Sequence, residues 1–289
     1  MMQYTLDHVV IAVPDVRASA SAYQAQFGSR IRLRAPGEAW LQHDGPAPLV
    51  LREGDEAPGI RYAAYRVDSA HAACDDLTSK GVRRAWDLAD QGYVQHCGFY
   101  DADGLPFQVF STPADEPRTW TTSRPAMSTA LRFHHVNILT PDVRRAIQFY
   151  EQVLGLWVAL AYQPDFSGFN LLIDRAFDDH EHNIMLEITG PPGLDEREAA
   201  YLATHGPCYD HICFSTADPA ATYHRLVDNG APPLYEPVDY YGNVLAWVED
   251  PQRVHVELMK PISTESLAGV LRGGPPLCFT TLTYEGDAS

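Results

Sequence analysis

The chain lacks long apolar runs, CxxC pairs and an excess of cations. Its 289 residues carry 21 Lys and Arg against 38 Asp and Glu, a formal net charge of -17. Binding phosphates needs a basic face, so this balance argues against a nucleic-acid partner and equally against docking on anionic membranes. No apolar run approaches the roughly 18 residues a membrane helix needs. The opening MMQYTLDHVV has no basic region followed by an apolar core, so neither a transmembrane helix nor a signal peptide is expected. The five cysteines (Cys74, Cys97, Cys208, Cys213, Cys278) are odd in number and scattered. They predict no disulfide framework and a reducing, cytoplasmic setting. Cys213 reads first as a small buried hydrophobe, with a place in a site as the alternative.

What is present is the composition of a soluble globular protein, 45% hydrophobic and 20% charged, long enough for one large or two ordinary domains. The most informative stretch is NVLAWVEDPQRVHVELMK, Asn243 to Lys260. Its alternation predicts a β-hairpin turning at Asp250-Pro251, with Glu257 in the returning strand on the same face as His255. A carboxylate within an apolar strand costs several kcal/mol unless it is paired or binds a metal.

The chain repeats. Leu6 to Val13 predicts a strand, Asp15 caps a helix over 16–27, and Gly28 closes it. Strands follow near 39–42, 48–52 and 61–67, then a helix over 70–80 stopped by Gly81, then strands at 94–100 and 106–110. The order recurs with a strand at 133–140 and a helix from Val143 to Leu154 ended by Gly155. DHVVIAVPDVR at Asp7 falls on HHVNILTPDVR at His134, an offset of 127, and RYAAYRVDS at Arg61 falls on DHICFSTAD at Asp210, an offset of 149. The second offset carries Gln108 onto Glu257 without a gap. Four strand–helix–strands units in two tandem halves follow. The expected divisions are 1–112, a Pro/Ser/Thr-rich linker 113–131, a second half 132–262 and a tail 263–289.

Two imidazoles and a carboxylate occupy equivalent strand positions of the second half. His135 shares a face with Asn137 and Leu139, His211 shares one with Cys213 and Ser215, and Glu257 lies on the last strand. Converging inside a curved sheet, the three would hold a metal with positions open for substrate and, on Fe(II), for dioxygen. Each His taken singly reads as a hydrogen-bonded core residue; the three at matching positions favour the metal. The first half is the control: it keeps His8 but has Tyr62 and Gln108 where His211 and Glu257 stand, which predicts an empty scaffold. Glu187, in NIMLEITGPP, occupies the strand corresponding to that of Glu257. It is either a fourth ligand or a solvated or capping carboxylate.

HHVNILTPDVRRAIQFYEQVLGL, YDHICFSTAD, WVEDPQRVHVEL and FYDADGLPFQVFSTP together resemble the vicinal oxygen chelate superfamily over about residues 5 to 260. The four-unit length resembles the type I extradiol ring-cleaving dioxygenases. The resemblance implies an α+β fold of four βαβββ modules, paired into two tandem open barrels, with the working site in the second. Carried over by position, the family's iron ligands fall on His135, His211 and Glu257. The dioxygenases' hairpin Tyr falls on Trp247, whose indole donates a hydrogen bond but cannot act as acid or base. Their second-shell His falls near Val238 to Tyr240, where no His stands, and the third unit's pocket His falls on Asn183, beside His182. Tyr240, Tyr241 and His255 are therefore the candidates for proton transfer, each with a packing or solvated role as the plain alternative. Asn137, Phe169, Asn183 and Trp247 are the candidate substrate contacts. Glu187 resembles the fourth ligand of glyoxalase I and methylmalonyl-CoA epimerase, which use a metal as Lewis acid and a carboxylate to move the proton.

Three functions compete. The expected one is an Fe(II) dioxygenase taking O2 and a catechol-like small molecule. The second is a redox-neutral isomerase, epimerase or lyase on Mg2+, Mn2+, Co2+ or Ni2+. The third is a metal-free small-molecule binding protein of the resistance type, disfavoured because the donors are intact in one half and eroded in the other. The resemblance also implies a homo-oligomer.

Overall fold

A computed structural model describes residues 2–43, 48–55, 57–90, 94–112, 130–163, 165–174, 184–240, 243–262, 270 and 276–278. Tyr241, His182 and Asn183, the interior of the expected linker and most of the tail lie outside the described residues.

Each unit is a βαβββ module. The first comprises β1 (Thr5–Val13), α1 (Val16–Phe27), β2 (Arg30–Ala35), β3 (Glu38–Gln42) and β4 (Leu49–Glu53). The second comprises β5 (Gly59–Arg66), α2 (Ala70–Ser79), β6 (Arg84–Asp90), β7 (Gln95–Tyr100) and β8 (Pro106–Ser111). The third has β9 (Arg132–Leu139), α3 (Val143–Phe149), β10 (Trp157–Ala161), β11 (Phe169–Ile173) and β12 (Met185–Thr189). After an inserted helix α4 (Glu196–His205) come β13 (Cys208–Ser215), α5 (Pro219–Asp228), β14 (Pro233–Tyr240), β15 (Asn243–Glu249) and β16 (His255–Met259); a short β17 (Leu277–Cys278) follows.

The repeat is visible in the helix ends. Asp15 accepts from the Ala18 N–H at 2.9 Å and its repeat Asp142 from Arg145 at 3.1 Å, while Gly28 (φ 70) and Gly155 (φ 72) close the helices in the left-handed region. Ser69 and Asp218 cap the even-numbered modules in the same way. The helix expected over 143–154 is α-helical only to Phe149; Tyr150–Leu154 widens into a π turn. Helix α4 was not foreseen, although Asp195 and Glu198 form a capping box at its start and Gly206 ends it.

Two open sheets result, ordered β2-β3-β4-β1-β5-β8-β7-β6 and β14-β15-β16-β13-β9-β12-β11-β10-β17. In each, the first strands of its two modules run antiparallel at the centre, and each is flanked by the last strand of its own module in parallel. Helices cover the outer face and the sheet curves round the inner one. Central strands are thus buried on both faces, which is why β9 is buried from Phe133 to Leu139 despite two histidines and an asparagine. Polar groups on the inner face of such strands need partners, and the topology brings four of them together.

Candidate metal centre

Glu257, His211, His135 and Glu187 sit on β16, β13, β9 and β12, four consecutive neighbours in the second sheet. Register sets Cys213 beside both His135 and Glu257, and Asn137 beside Glu187. A bulge in the β13–β9 pairing between Tyr209 and Ile212 shifts the backbone at His211, a common way to re-aim a side chain at a site. His135 Nε2 lies 2.7 Å from Glu187 Oε2, 3.2 Å from Glu257 Oε2 and 3.3 Å from His211 Nε2. His211 Nε2 lies 3.5 Å from Glu187 Oε2 and 3.6 Å from Glu257 Oε2. Donors held about 2.1 Å from one divalent ion stand about 3.0 Å apart in an octahedron and about 3.4 Å apart in a tetrahedron. The observed spacings straddle those edges, and two imidazoles with two carboxylates are a hard-to-borderline donor set, so these residues fit a divalent metal. Glu187 faces inward with the other three rather than toward solvent.

The electrostatics are those of a buried cluster of opposite charges. Burial lowers His211, but the carboxylates of Asp210, Glu187 and Glu257 around it outweigh that and hold it well above the ordinary imidazole value. Burial likewise raises Glu257, and the two imidazoles overcome it and pull the carboxyl down to about 2; Glu187 is held below the usual carboxylate range by His135. A cation replacing the imidazole protons would satisfy the same carboxylates.

A second layer orients these donors. His211 Nδ1 faces Asp210 Oδ2 at 3.0 Å, and Arg197 grips Asp210 through both Nη atoms at 3.0 and 3.1 Å. His135 Nδ1 meets His134 Nδ1 at 2.9 Å; burial lowers His134 to about 3 and so keeps it neutral, one ring donating and the other accepting. Thr189 Oγ1 donates to Glu187 Oε1 at 3.2 Å and accepts from Asn137 Nδ2 at 2.7 Å. Sequence reasoning missed Asp210, Arg197, His134 and Thr189. The Asp-His dipeptide, present at Asp7-His8 and again at Asp210-His211, was the available signal for the first.

The cluster floors a cavity of about 260 Å3. Phe169, Trp247 and Tyr240 form walls with Leu160, Leu171, Leu245, Met259 and Ile262. Trp247 packs edge-on to the His211 ring at 4.7 Å. Asn137 does not line the cavity; it acts through Thr189 on Glu187. His255 does not line it either, because its Nδ1 is turned to Arg197 Nη1 at 2.8 Å, with Asp210 Oδ1 at 3.7 Å. Cys213 is fully buried in the apolar cluster with Met185 and Met259. Glu198, at the start of α4, and Asn243 also reach the cavity, and neither was anticipated. Burial pushes Glu198 up to about 7 against the hydrogen bond from the Asp195 N–H.

The first half places His8, Tyr62, Gln108 and Val50 at the four equivalent positions. Its interior is filled instead: Arg52 bonds the Tyr62 hydroxyl and pairs with Glu38 at 2.7 Å, and the Trp40 and Phe110 rings pack on His8 at 5.1 and 5.0 Å. Among the described residues, every group of donors able to hold a metal lies in the second half.

The profile of the Glyoxalase/Bleomycin resistance protein/Dioxygenase superfamily matches residues 5–109 and 132–258, and the chain belongs to that family. A lactoylglutathione lyase of Schizosaccharomyces pombe is 24% identical over 90% of this chain and 97% of its own length. A lactoylglutathione lyase of Haemophilus influenzae is 30% identical over 47% of this chain and 96% of its own length. Among solved structures, a Mn(II)-bound glyoxalase from Novosphingobium aromaticivorans superposes with TM-score 0.68 at 20% identity, covering 90% of this chain and 83% of that one. Homoprotocatechuate 2,3-dioxygenase from Brevibacterium fuscum, in its anaerobic substrate complex, superposes with TM-score 0.64 at 17% identity, covering 90% and 81%. At these identities the structures share the fold.

Proposed function

We propose that the second half is the catalytic half of a divalent-metal enzyme that moves a proton next to a substrate oxygen without net oxidation, in the manner of a lyase or isomerase. His135, Glu187, His211 and Glu257 would hold the metal. The observation that supports this is the inward position of Glu187, 2.7 Å from His135. A fourth protein donor leaves fewer positions than the two-imidazole, one-carboxylate set that binds both a diol and dioxygen. It also supplies a carboxylate that can act as a base at the substrate. A bound divalent ion would supply Lewis-acid polarisation of a substrate oxygen.

The chain's own groups would do the rest. Glu187 is the proposed proton acceptor, oriented by Thr189 and Asn137. Asp210 and His134 fix the two imidazoles, and Trp247, Phe169 and Tyr240 exclude water from the reacting atoms. The names of the relatives support a redox-neutral reaction; the apolar, ring-lined cavity supports the Fe(II) dioxygenase expected from module number as the second reading. The test is metal analysis of protein purified without chelators, followed by reconstitution with Mn2+, Co2+, Ni2+ or Fe(II). About one metal per chain and turnover of a 2-oxoaldehyde–thiol adduct under anaerobic conditions is the expected result. Oxygen uptake that depends on both Fe(II) and a catechol would replace this reading with the dioxygenase.

A further inference from the structure

The cavity's charge narrows its substrate, an inference that rests on the metal reading above. Two ligand carboxylates, Glu187 and Glu257, are enough to neutralise a divalent ion. Asp195 and Glu198 then add negative charge at the wall formed by the start of α4, where Arg197 Nη2 lies 3.6 Å from Glu198 Oε1. No Lys or Arg is among the described residues that line the cavity. The nearby cation, Arg197, bonds Asp210 twice, faces His255 Nδ1 at 2.8 Å and lies 3.6 Å from Glu198, so this one guanidinium stands against three carboxylates, Asp195, Glu198 and Asp210. An anionic group brought into this space would meet like charges in a poorly solvated site without a partner, which is costly.

One polar anchor remains for the ligand. Asn243 is fully buried and lines the cavity. Its Oδ1 accepts from the Lys260 N–H at 2.9 Å, which fixes the amide's orientation, and its Nδ2 has no hydrogen-bond partner among the described residues. A buried donor without an acceptor is a place for a neutral oxygen from the ligand.

We propose that this cavity selects an uncharged or cationic, largely apolar compound bearing two vicinal oxygens, with a further neutral oxygen facing Asn243, and rejects compounds carrying a carboxylate or phosphate. A glutathione adduct, which has more carboxylates than ammonium groups, is therefore a poor ligand here, and the thiol or alcohol portion of the natural substrate lacks such acids.

The test uses three catechols, which present two vicinal oxygens on the same ring: 4-ethylcatechol, dopamine and 3,4-dihydroxyphenylacetate. Each is titrated calorimetrically into full-length protein loaded with redox-inert Zn2+, at pH 8 and without oxygen. The neutral and cationic catechols should bind at least tenfold more tightly than the acid. The double variant Asp195→Asn, Glu198→Gln, which keeps an N-cap and its capping partner, should at least halve that preference. Equal or tighter binding of the acid by the native protein overturns the charge proposal and leaves the metal reading standing, as does a preference unchanged in the double variant. If zinc is bound one per chain yet none of the three catechols binds, the chelation reading falls and this proposal with it.

Discussion

The Tyr150 hydroxyl of the second half donates to Asp101 Oδ2 of the first at 2.9 Å, and in the repeat of this pair the Tyr23 hydroxyl of the first half donates to Asp250 Oδ2 of the second. A helical residue of each half thus latches the last hairpin turn of the other. In both turns the aspartate's Oδ1 also accepts two backbone N–H groups, from Asp103 and Leu105 at 2.9 and 2.8 Å, and from Gln252 and Val254 at 2.7 and 2.9 Å. The Asp250 turn joins β15 to β16, so the half without metal donors holds the hairpin that carries Glu257. In the proposed reading one half supplies the metal donors and the other braces the hairpin that carries one of them.

The latch predicts a pH effect on stability. Burial pushes both Asp101 and Asp250 up to about 6, against the tyrosine and backbone hydrogen bonds that pull them down. A carboxyl raised on folding binds its proton more tightly in the native state, so its stabilising contribution is complete below pH 4 and is lost as pH rises through 6. A shift from 3.8 to about 6 amounts to at most about 3 kcal/mol for each group. Asp250→Asn keeps the Oδ1 acceptor and has no charge to bury. Urea denaturation from pH 4 to pH 7.5 should show the variant gaining on the native protein as pH rises. Parallel curves would mean that Asp250 is an ordinary ionised turn residue.

Metal content should separate the halves. Glu257→Ala and His211→Ala each remove one donor of a buried cluster and leave charges facing each other unpaired, so both should lose most bound metal. Gln108→Ala, at the position equivalent to Glu257, should keep the native metal content, because among the described residues no group of donors able to hold a metal includes a residue of the first half. Metal retained by Glu257→Ala and His211→Ala, measured by plasma emission on dialysed protein, would remove the site from the second half.

The repeat, the module order and the hairpin at Glu257 were legible because they rest on local patterns: alternation, an Asp or Ser capping each module's helix and a Gly after it. His135, His211 and Glu257 were legible as a set only through the offset between the halves. The direction of Glu187 was not, because one strand face cannot be told from the other when both are buried, as in β12 where all five residues are. His255 was misjudged for a related reason. Position on a strand gives the face, but the salt bridge of Arg197 with Asp210 draws that ring into a layer behind His211, and Arg197 comes from a helix 58 residues earlier. Long-range polar pairing of this kind leaves no periodicity to read.

That layer gives the last prediction. A ligand imidazole needs its proton on Nδ1 and a free lone pair on Nε2, and a carboxylate accepting from Nδ1 enforces this tautomer. Asp210 does so for His211 at 3.0 Å, and the hydrogen bonds from His211 and Arg197 keep it ionised despite its burial. Asp210→Asn keeps the shape but can turn an N–H toward Nδ1, which favours the wrong tautomer. Metal affinity, measured by competition with a chromophoric chelator, should fall about 10- to 100-fold. His255→Gln, which removes only the outer partner of Arg197, should fall much less. If the two variants lose affinity equally, Asp210 contributes packing and charge balance rather than a tautomer.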